Sequence, residues 1–193
     1  NNNLTDTIFF LNNIRFKYDY AYENTEHIKK NVNYTGILDI PVDIEKYNKF
    51  PLCNKTTDIL FIGTRNNRRE KIIKYLIDEK YNVRILSNTF GEALDKEIAS
   101  AKIVLNIHIH KNSPLEIFRI HDILPHHTNI ISESTNNNII KNKYNEVVNF
   151  IPIINDNLSN INNLTNMINN IINKTNCPKL NIIENLNNTS LNK

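Results

Sequence analysis

Three polar stretches, each following a short apolar run, carry residue types able to do chemistry. The first places Gly63, Thr64, Arg65, Arg68 and Arg69 within one short run. Guanidinium forks and the free N–H groups of a helix start both favour a phosphate or diphosphate, and a glycine lets that phosphate approach the backbone. The same run could instead be a solvated basic helix start, or a nucleic-acid patch, although no aromatic residues interleave it as stacking would require. The second stretch runs from Asn106 through His108 and Ser113 to Leu115, Glu116 and Arg119. A carboxylate at a helix start can accept both hydroxyls of a ribose or sugar; it can equally complement the helix dipole or pair with Arg119 at i, i+3. The third, Ser132 to Asn138, could complete one cleft with the other two.

Five histidines, His108, His110, His121, His126 and His127, crowd the same region. His108 and His110 would share a face if they lay on a strand, but no carboxylate or cysteine stands at a companion spacing, so no metal site is expected. His121, His126 and His127 are expected at the surface around the helix end marked by Pro125. No nucleophile constellation emerges: Ser132 has no G-x-S-x-G elbow, and neither Cys53 nor Cys177 has a histidine near it in sequence. No catalytic residue is assigned from the sequence.

The elements that must position these residues follow from periodicity. Short apolar runs at Asp58–Gly63, Asn82–Leu86, Lys102–Ile107, Asn129–Ser132 and Val147–Ile151 alternate with amphipathic stretches. Nearly continuous apolar strands separated by helices predict an α/β fold, a Rossmann-like parallel sheet flanked by helices and covered on both faces. Helices are predicted after the first polar turn, burying Ile72, Ile73, Leu76 and Ile77; at Gly91–Ser100; at Leu115–Leu124, stopped by Pro125; and from Leu158 to Ile171. A helix is also expected from Tyr18 to Lys30 and a short strand at Ile37–Pro41, with residues 42 to 55 as linker. In an open parallel sheet ligands bind beyond the carboxyl ends of the strands, which is where all three polar stretches fall. The expected organisation is 1–45 as the tail of a preceding domain and linker, 46–176 as the ligand-binding domain, and 177–193 as a weakly periodic C-terminal tail.

Length and composition remove other classes. At 193 residues and net charge +3, the chain suits one α/β domain with trimmings and has no dominant electrostatic partner, so nucleic acid is not expected. Only Gly36, Gly63 and Gly91 occur, too few for a G-x-G-x-x-G fingerprint or a P-loop. Asparagine, at 38 residues, together with 32 isoleucines reflects an AT-rich coding sequence, so asparagine is discounted as a signal and the eight N-x-S/T sequons say little about secretion. Two distant cysteines suggest neither disulfide nor zinc site, which makes a reducing, cytoplasmic setting the default. No apolar run approaches the ~20 residues of a membrane span. The Asn-Asn-Asn start, with no apolar leader, suggests a domain excised from something longer.

Taken together, Asp58-Ile-Leu-Phe-Ile-Gly-Thr with Arg68-Arg69, Ala101-Lys-Ile-Val-Leu-Asn-Ile-His108, Leu115-Glu-Ile-Phe-Arg119 and Ile130-Ile-Ser-Glu133 resemble the C-terminal half of GT-B glycosyltransferases. The likeness is to the CgeB-related group and to family 1/4 C-terminal domains. Tyr18-Asp-Tyr-Ala-Tyr-Glu-Asn24 and Ile40-Pro-Val-Asp43 are similar to that group's W-D-Y-S-x-E-N segment and interdomain linker. The resemblance covers residues 16 to 172 and implies a donor domain for a nucleotide-diphosphate sugar, with no required metal or other cofactor. It implies that Gly63, Thr64 and Arg68 hold the diphosphate, Glu116 grips the ribose, Asn106 and His108 line the cleft, and the backbone of Ser113 to Leu115 approaches the sugar or phosphates. Three departures stand out: His108 occupies a position where many relatives carry a glutamate, Val42 replaces the linker glycine, and no N-terminal acceptor domain is present. The implied partners are the nucleotide sugar, an unknown acceptor and a missing N-terminal domain; the alternative is a non-catalytic interaction module retaining the half fold.

Overall fold

The computed structural model describes residues 11–19, 21, 24, 29–30, 32–33, 35–38, 40–50, 55–111, 113–173 and 180–188. Near the start, β1 (Tyr18–Asp19) and β2 (Gly36–Ile37) pair in parallel. Tyr18 and Asp19 therefore do not open a helix as expected. Asp19 is the reason: its carboxylate accepts from the Ala21 amide at 2.7 Å and from Asn24 Nδ2 at 3.0 Å, and such local bonds compete with a helical ladder. Most of the remaining expected helix lies outside the described residues, as do Cys53, Cys177 and residues 189–193.

Residues 42–55, expected as linker, carry α1 (Ile44–Lys49), started by Asp43, whose Oδ1 accepts from the Lys46 amide at 3.0 Å. The alternating unit follows: β3 (Thr57–Ile62), α2 (Asn67–Asp78), β4 (Val83–Leu86), α3 (Gly91–Ser100), β5 (Ala101–Asn106), α4 (Ile117–Ile123), β6 (Asn129–Glu133), α5 (Asn138–Tyr144), β7 (Asn149–Ile151) and α6 (Ile161–Ile172). A final helix, α7 (Leu180–Asn188), falls where only weak periodicity was visible.

The five strands form one sheet in the order β4-β3-β5-β6-β7, every neighbouring pair parallel. Period two then divides the apolar residues between the faces. From β3, Ile59 and Phe61 pack with Ile72 and Leu76 of α2 and Leu164 and Ile168 of α6. Leu60 points the other way, into a cluster with Ile98 of α3, Ile120 of α4, Tyr144 of α5 and Ile183 of α7. Burying each such side chain contributes about 1.5–3 kcal/mol, which is why asparagine-rich α6 still forms: Ile161, Leu164 and Ile168 all face the sheet. Asn187 pins α7 to the start of α1, accepting from the Val42 amide at 2.7 Å and donating to its carbonyl at 3.0 Å.

At the amino edge of the sheet the histidines depart from expectation. His121, His126 and His127 are 7%, 1% and 9% exposed, not at the surface. Pro125 turns the end of α4 into a 3-10 turn (Leu124–His126), and His127, with φ +51°, swings the chain into β6 beneath α1. His121 Nε2 lies 2.9 Å from Tyr144 Oη and His127 Nε2 3.3 Å from the Tyr47 carbonyl, whereas His126 Nε2 stands 3.2 Å from Asp95 without a hydrogen bond, and both His126 nitrogens and His127 Nδ1 are buried with none. Among the described residues, no helix is long and apolar enough to cross a membrane.

Candidate functional site

The strand order reverses between β3 and β5, and the crevice outside their carboxyl ends is where an open α/β sheet binds ligands. All three polar stretches converge there. β3 ends on Gly63, whose φ of +135° lies in a region that favours glycine. A Cβ at Gly63 would stand 3.4 Å from Arg119 Nη2 and 3.7 Å from Arg69 Nη1, so two guanidinium groups face this backbone.

Glu116 sits at the N-cap of α4, yet its side chain caps nothing. Its Oε2 instead accepts from Asn106 Nδ2 at 2.8 Å and lies 3.1 Å from His108 Nδ1. Its Oε1 stands 4.0 Å from both Arg69 Nη2 and Arg119 Nη1, too far for a hydrogen bond. Burial, the largest influence, pushes the Glu116 carboxyl up; the His108 hydrogen bond and charge, the Asn106 amide and Arg119 together outweigh it and hold the group below the usual carboxylate range. Asn106 is fully buried and saturated, donating also to Ser132 Oγ at 3.0 Å and accepting from Arg119 Nη1 at 2.7 Å.

The four arginines divide sharply. Arg68, 6% exposed, turns inward: Nη1 donates to Glu133 Oε1 at 2.6 Å and to the Ile154 carbonyl at 2.9 Å, while Nη2 donates to Glu133 Oε2 at 3.0 Å and to the His108 carbonyl. With four bonds made, its two amino groups have nothing left for an incoming anion in this arrangement. Arg65 points outward, its side chain 58% exposed and 3.9 Å from Glu70. Arg69 is buried against the Phe61 ring and donates to the carbonyls of Thr64 and Ile107. Burial first, then the Arg119 charge, lower Arg69 from the ordinary guanidinium value, against the opposing pull of Glu116. Arg119 is one quarter exposed, and its Nη2 has no hydrogen-bond partner among the described residues.

Three guanidinium groups, Arg68, Arg69 and Arg119, thus stand against two carboxylates, Glu116 and Glu133, leaving one positive charge uncompensated. Two further polar atoms, His108 Nε2 and Arg69 Nε, are buried without a partner. Such atoms are rare in folded proteins and mark places where a ligand or water completes the bonding.

Of the other expected residues, Thr64 is exposed and contributes its carbonyl to Arg69, and Ser113 closes a turn by donating its amide to the His110 carbonyl at 3.0 Å. Leu115 is 1% exposed and its side chain belongs to the core, so only its backbone borders the crevice. His108 and His110 share no strand face: both lie past the end of β5, the first buried and the second exposed. Glu133, at the end of β6, was not singled out from the sequence as a site residue. The available signal was a carboxylate closing an otherwise apolar strand covered on both faces.

Two clefts flank the charged centre. One of about 670 Å³ lies between the α2 start, Ile109 to Lys111 and Asp156; the other, of about 600 Å³, lies between Gly63 to Arg65 and Ile85, Ser87 and Asn88.

No protein-family model matches the chain, and no curated protein matches it. Among solved structures, sucrose-phosphate synthase from Thermosynechococcus elongatus is similar over 96% of this chain and 57% of its own, with a TM-score of 0.64 and 10% identity. TarM is similar over 97% of this chain and 41% of its own, with a TM-score of 0.51 and 12% identity. The chain therefore spans little more than half of the first and less than half of the second. What is shared at this identity is the fold: the chain is a Rossmann-like α/β unit, a parallel sheet flanked by helices, similar to a part of each of these larger proteins.

Proposed function

We propose that this chain is the donor-binding half of a GT-B glycosyltransferase of the CgeB-like or family 1/4 type, and that it holds a nucleoside-diphosphate sugar across the carboxyl edge of its sheet. The observation that carries the reading is the adjacency of two complementary features at the strand-order reversal. Gly63 faces Arg119 and Arg69, which suits a diphosphate; Glu116 beside them keeps Oε1 free of hydrogen bonds, which suits a ribose hydroxyl. A cationic centre with clefts on both sides fits an extended ligand with a diphosphate between nucleoside and sugar. The two similar structures, both glycosyltransferases, support the same class.

In this reading Arg119 contacts the diphosphate through Nη2, Arg69 adds charge, and the Gly63–Thr64 backbone sets the approach. The implied reaction breaks the bond between the anomeric carbon and the β-phosphate oxygen, and an acceptor hydroxyl oxygen bonds to that carbon. The hydroxyl proton passes to a base supplied from outside this half. The diphosphate leaves with its charge met by fixed cations, with no metal required. Calorimetric titration with UDP, GDP and inorganic phosphate, with and without magnesium, tests this. Selective binding of a nucleoside diphosphate is expected; a flat response from the folded chain would favour a non-catalytic interaction module.

A further inference from the structure

We infer that Glu133 is a positioning residue for the donor site, acting with Arg68 as a buried strut that fixes the loops around the ligand; this rests on the donor-binding reading above. Glu133 is fully buried and accepts four hydrogen bonds: from Arg68 Nη1 at 2.6 Å and Nη2 at 3.0 Å, from the His108 amide at 2.8 Å and from the Ile154 amide at 2.8 Å. Arg68 returns the favour to the same two residues, donating to the carbonyls of His108 and Ile154. One bidentate pair thus grips both the N–H and the C=O of a residue after β5 and of a residue after β7, from the first turn of α2.

The consequence reaches the ligand side through His108. With its backbone clamped from both directions, the His108 ring is held against Glu116 Oε2. That contact and the Asn106 amide occupy Oε2 and leave Oε1 turned toward Arg69 and Arg119. Stability alone is a poor reason for such a pair, because a buried ion pair gains little over well-packed apolar residues of the same volume. Its geometric use is stronger: a guanidinium fork on a carboxylate admits one arrangement, and four backbone groups are fixed with it.

The test is Glu133→Gln, which replaces one acceptor oxygen with a donor facing other donors. Two readouts are taken on protein shown to be folded: affinity for UDP and GDP by calorimetry, and hydrogen exchange at individual amides. The account expects affinity to fall about tenfold or more, with faster exchange at the His108 and Ile154 amides and unchanged protection in β3 and β5. The exchanged pair Arg68→Glu/Glu133→Arg should not restore affinity, since an arginine at 133 cannot accept from the two amides and a glutamate at 68 cannot donate to the two carbonyls. Should Glu133→Gln not fold, Arg68→Lys keeps the charge but loses the fork, and weaker nucleotide binding is again expected. Affinity within about twofold of the parent in the folded variants, or restoration by the exchanged pair, overturns the positioning role. If the parent binds neither nucleotide, the donor reading fails and this role fails with it, while the amide exchange still reports whether the strut itself exists.

Discussion

The two edges of the sheet hold similar residue types and organise them differently. At the amino edge, Lys55 Nζ donates to the Ala99 carbonyl at 2.8 Å, the His126 carbonyl at 3.0 Å and Thr128 Oγ1 at 2.9 Å, while His121 meets Tyr144 and the rings of His126 and His127 pack on Phe50 and Tyr47 at α1. At the carboxyl edge, charges exceed their partners by one, Arg119 Nη2 and Glu116 Oε1 make no hydrogen bond, and His108 Nε2 is buried with none. Polar groups at the first edge knit the fold; those at the second are the ones we propose to receive a ligand. Buried nitrogens without a hydrogen bond occur at both edges, those of His126 and His127 included, so what separates the two is the excess guanidinium charge facing the Gly63 backbone at the second.

Substitutions can break or sharpen that contrast. Gly63→Ala should have the largest effect, because a positive φ costs a non-glycine residue about 1–3 kcal/mol and the new Cβ would fill the space beside Arg119 at 3.4 Å. Both melting temperature and nucleotide affinity should fall. Lys55→Met should lower stability by about 1–3 kcal/mol, as buried carbonyls lose their donor, and leave affinity unchanged; denaturant unfolding and calorimetry measure the two separately. Arg119→Ala and Glu116→Gln should show the reverse, with affinity for UDP or GDP lowered about tenfold, or ~1.4 kcal/mol, and little change in unfolding.

The smallest effects concern pH. Burial, the leading influence, holds His126 below the ordinary imidazole value of ~6.5 despite the attraction of Asp95. The unfolded chain then takes up its proton first, so this contribution is complete above the unfolded value and declines as pH falls toward the lower folded one. His126→Phe should therefore flatten the loss of stability between about pH 7 and pH 5. Glu116, also depressed in the folded state, has the same sign at lower pH: its contribution is present above the usual carboxylate range and is lost as pH falls through its own value.

Much of this organisation was legible in the sequence for a physical reason. Strands buried on both faces read as continuous apolar runs, and Ile72, Ile73 and Leu76 or Ile161, Leu164 and Ile168 keep a helical period whatever lies between. A strand starting at Ile37 was expected and β2 reaches Ile37, but its partner β1 was not legible, because two-residue strands rest on backbone bonds between distant segments. Gly63, Asn106, Glu116 and Arg119 could be singled out as candidates because they lie at or beyond strand ends in a fold whose ligands sit there, and the structure brings them together. Which of two adjacent arginines lies beside Gly63 could not be told. Neighbouring residues on a helix point about 100° apart, and only the distant Glu133 and Ile154 draw Arg68 inward while Arg69 lies beneath Gly63. The buried histidines were misplaced for a similar reason, since α1, which covers them, lies in what looked like linker.

The most direct measurement is a calorimetric titration of the folded chain and its Arg119→Ala variant with UDP and GDP, against inorganic phosphate, with and without magnesium. The account predicts that the parent binds a nucleoside diphosphate in preference to phosphate without needing the metal, and that the variant loses about tenfold in affinity. A parent that binds neither nucleotide, or a variant that binds as well as the parent, would contradict it.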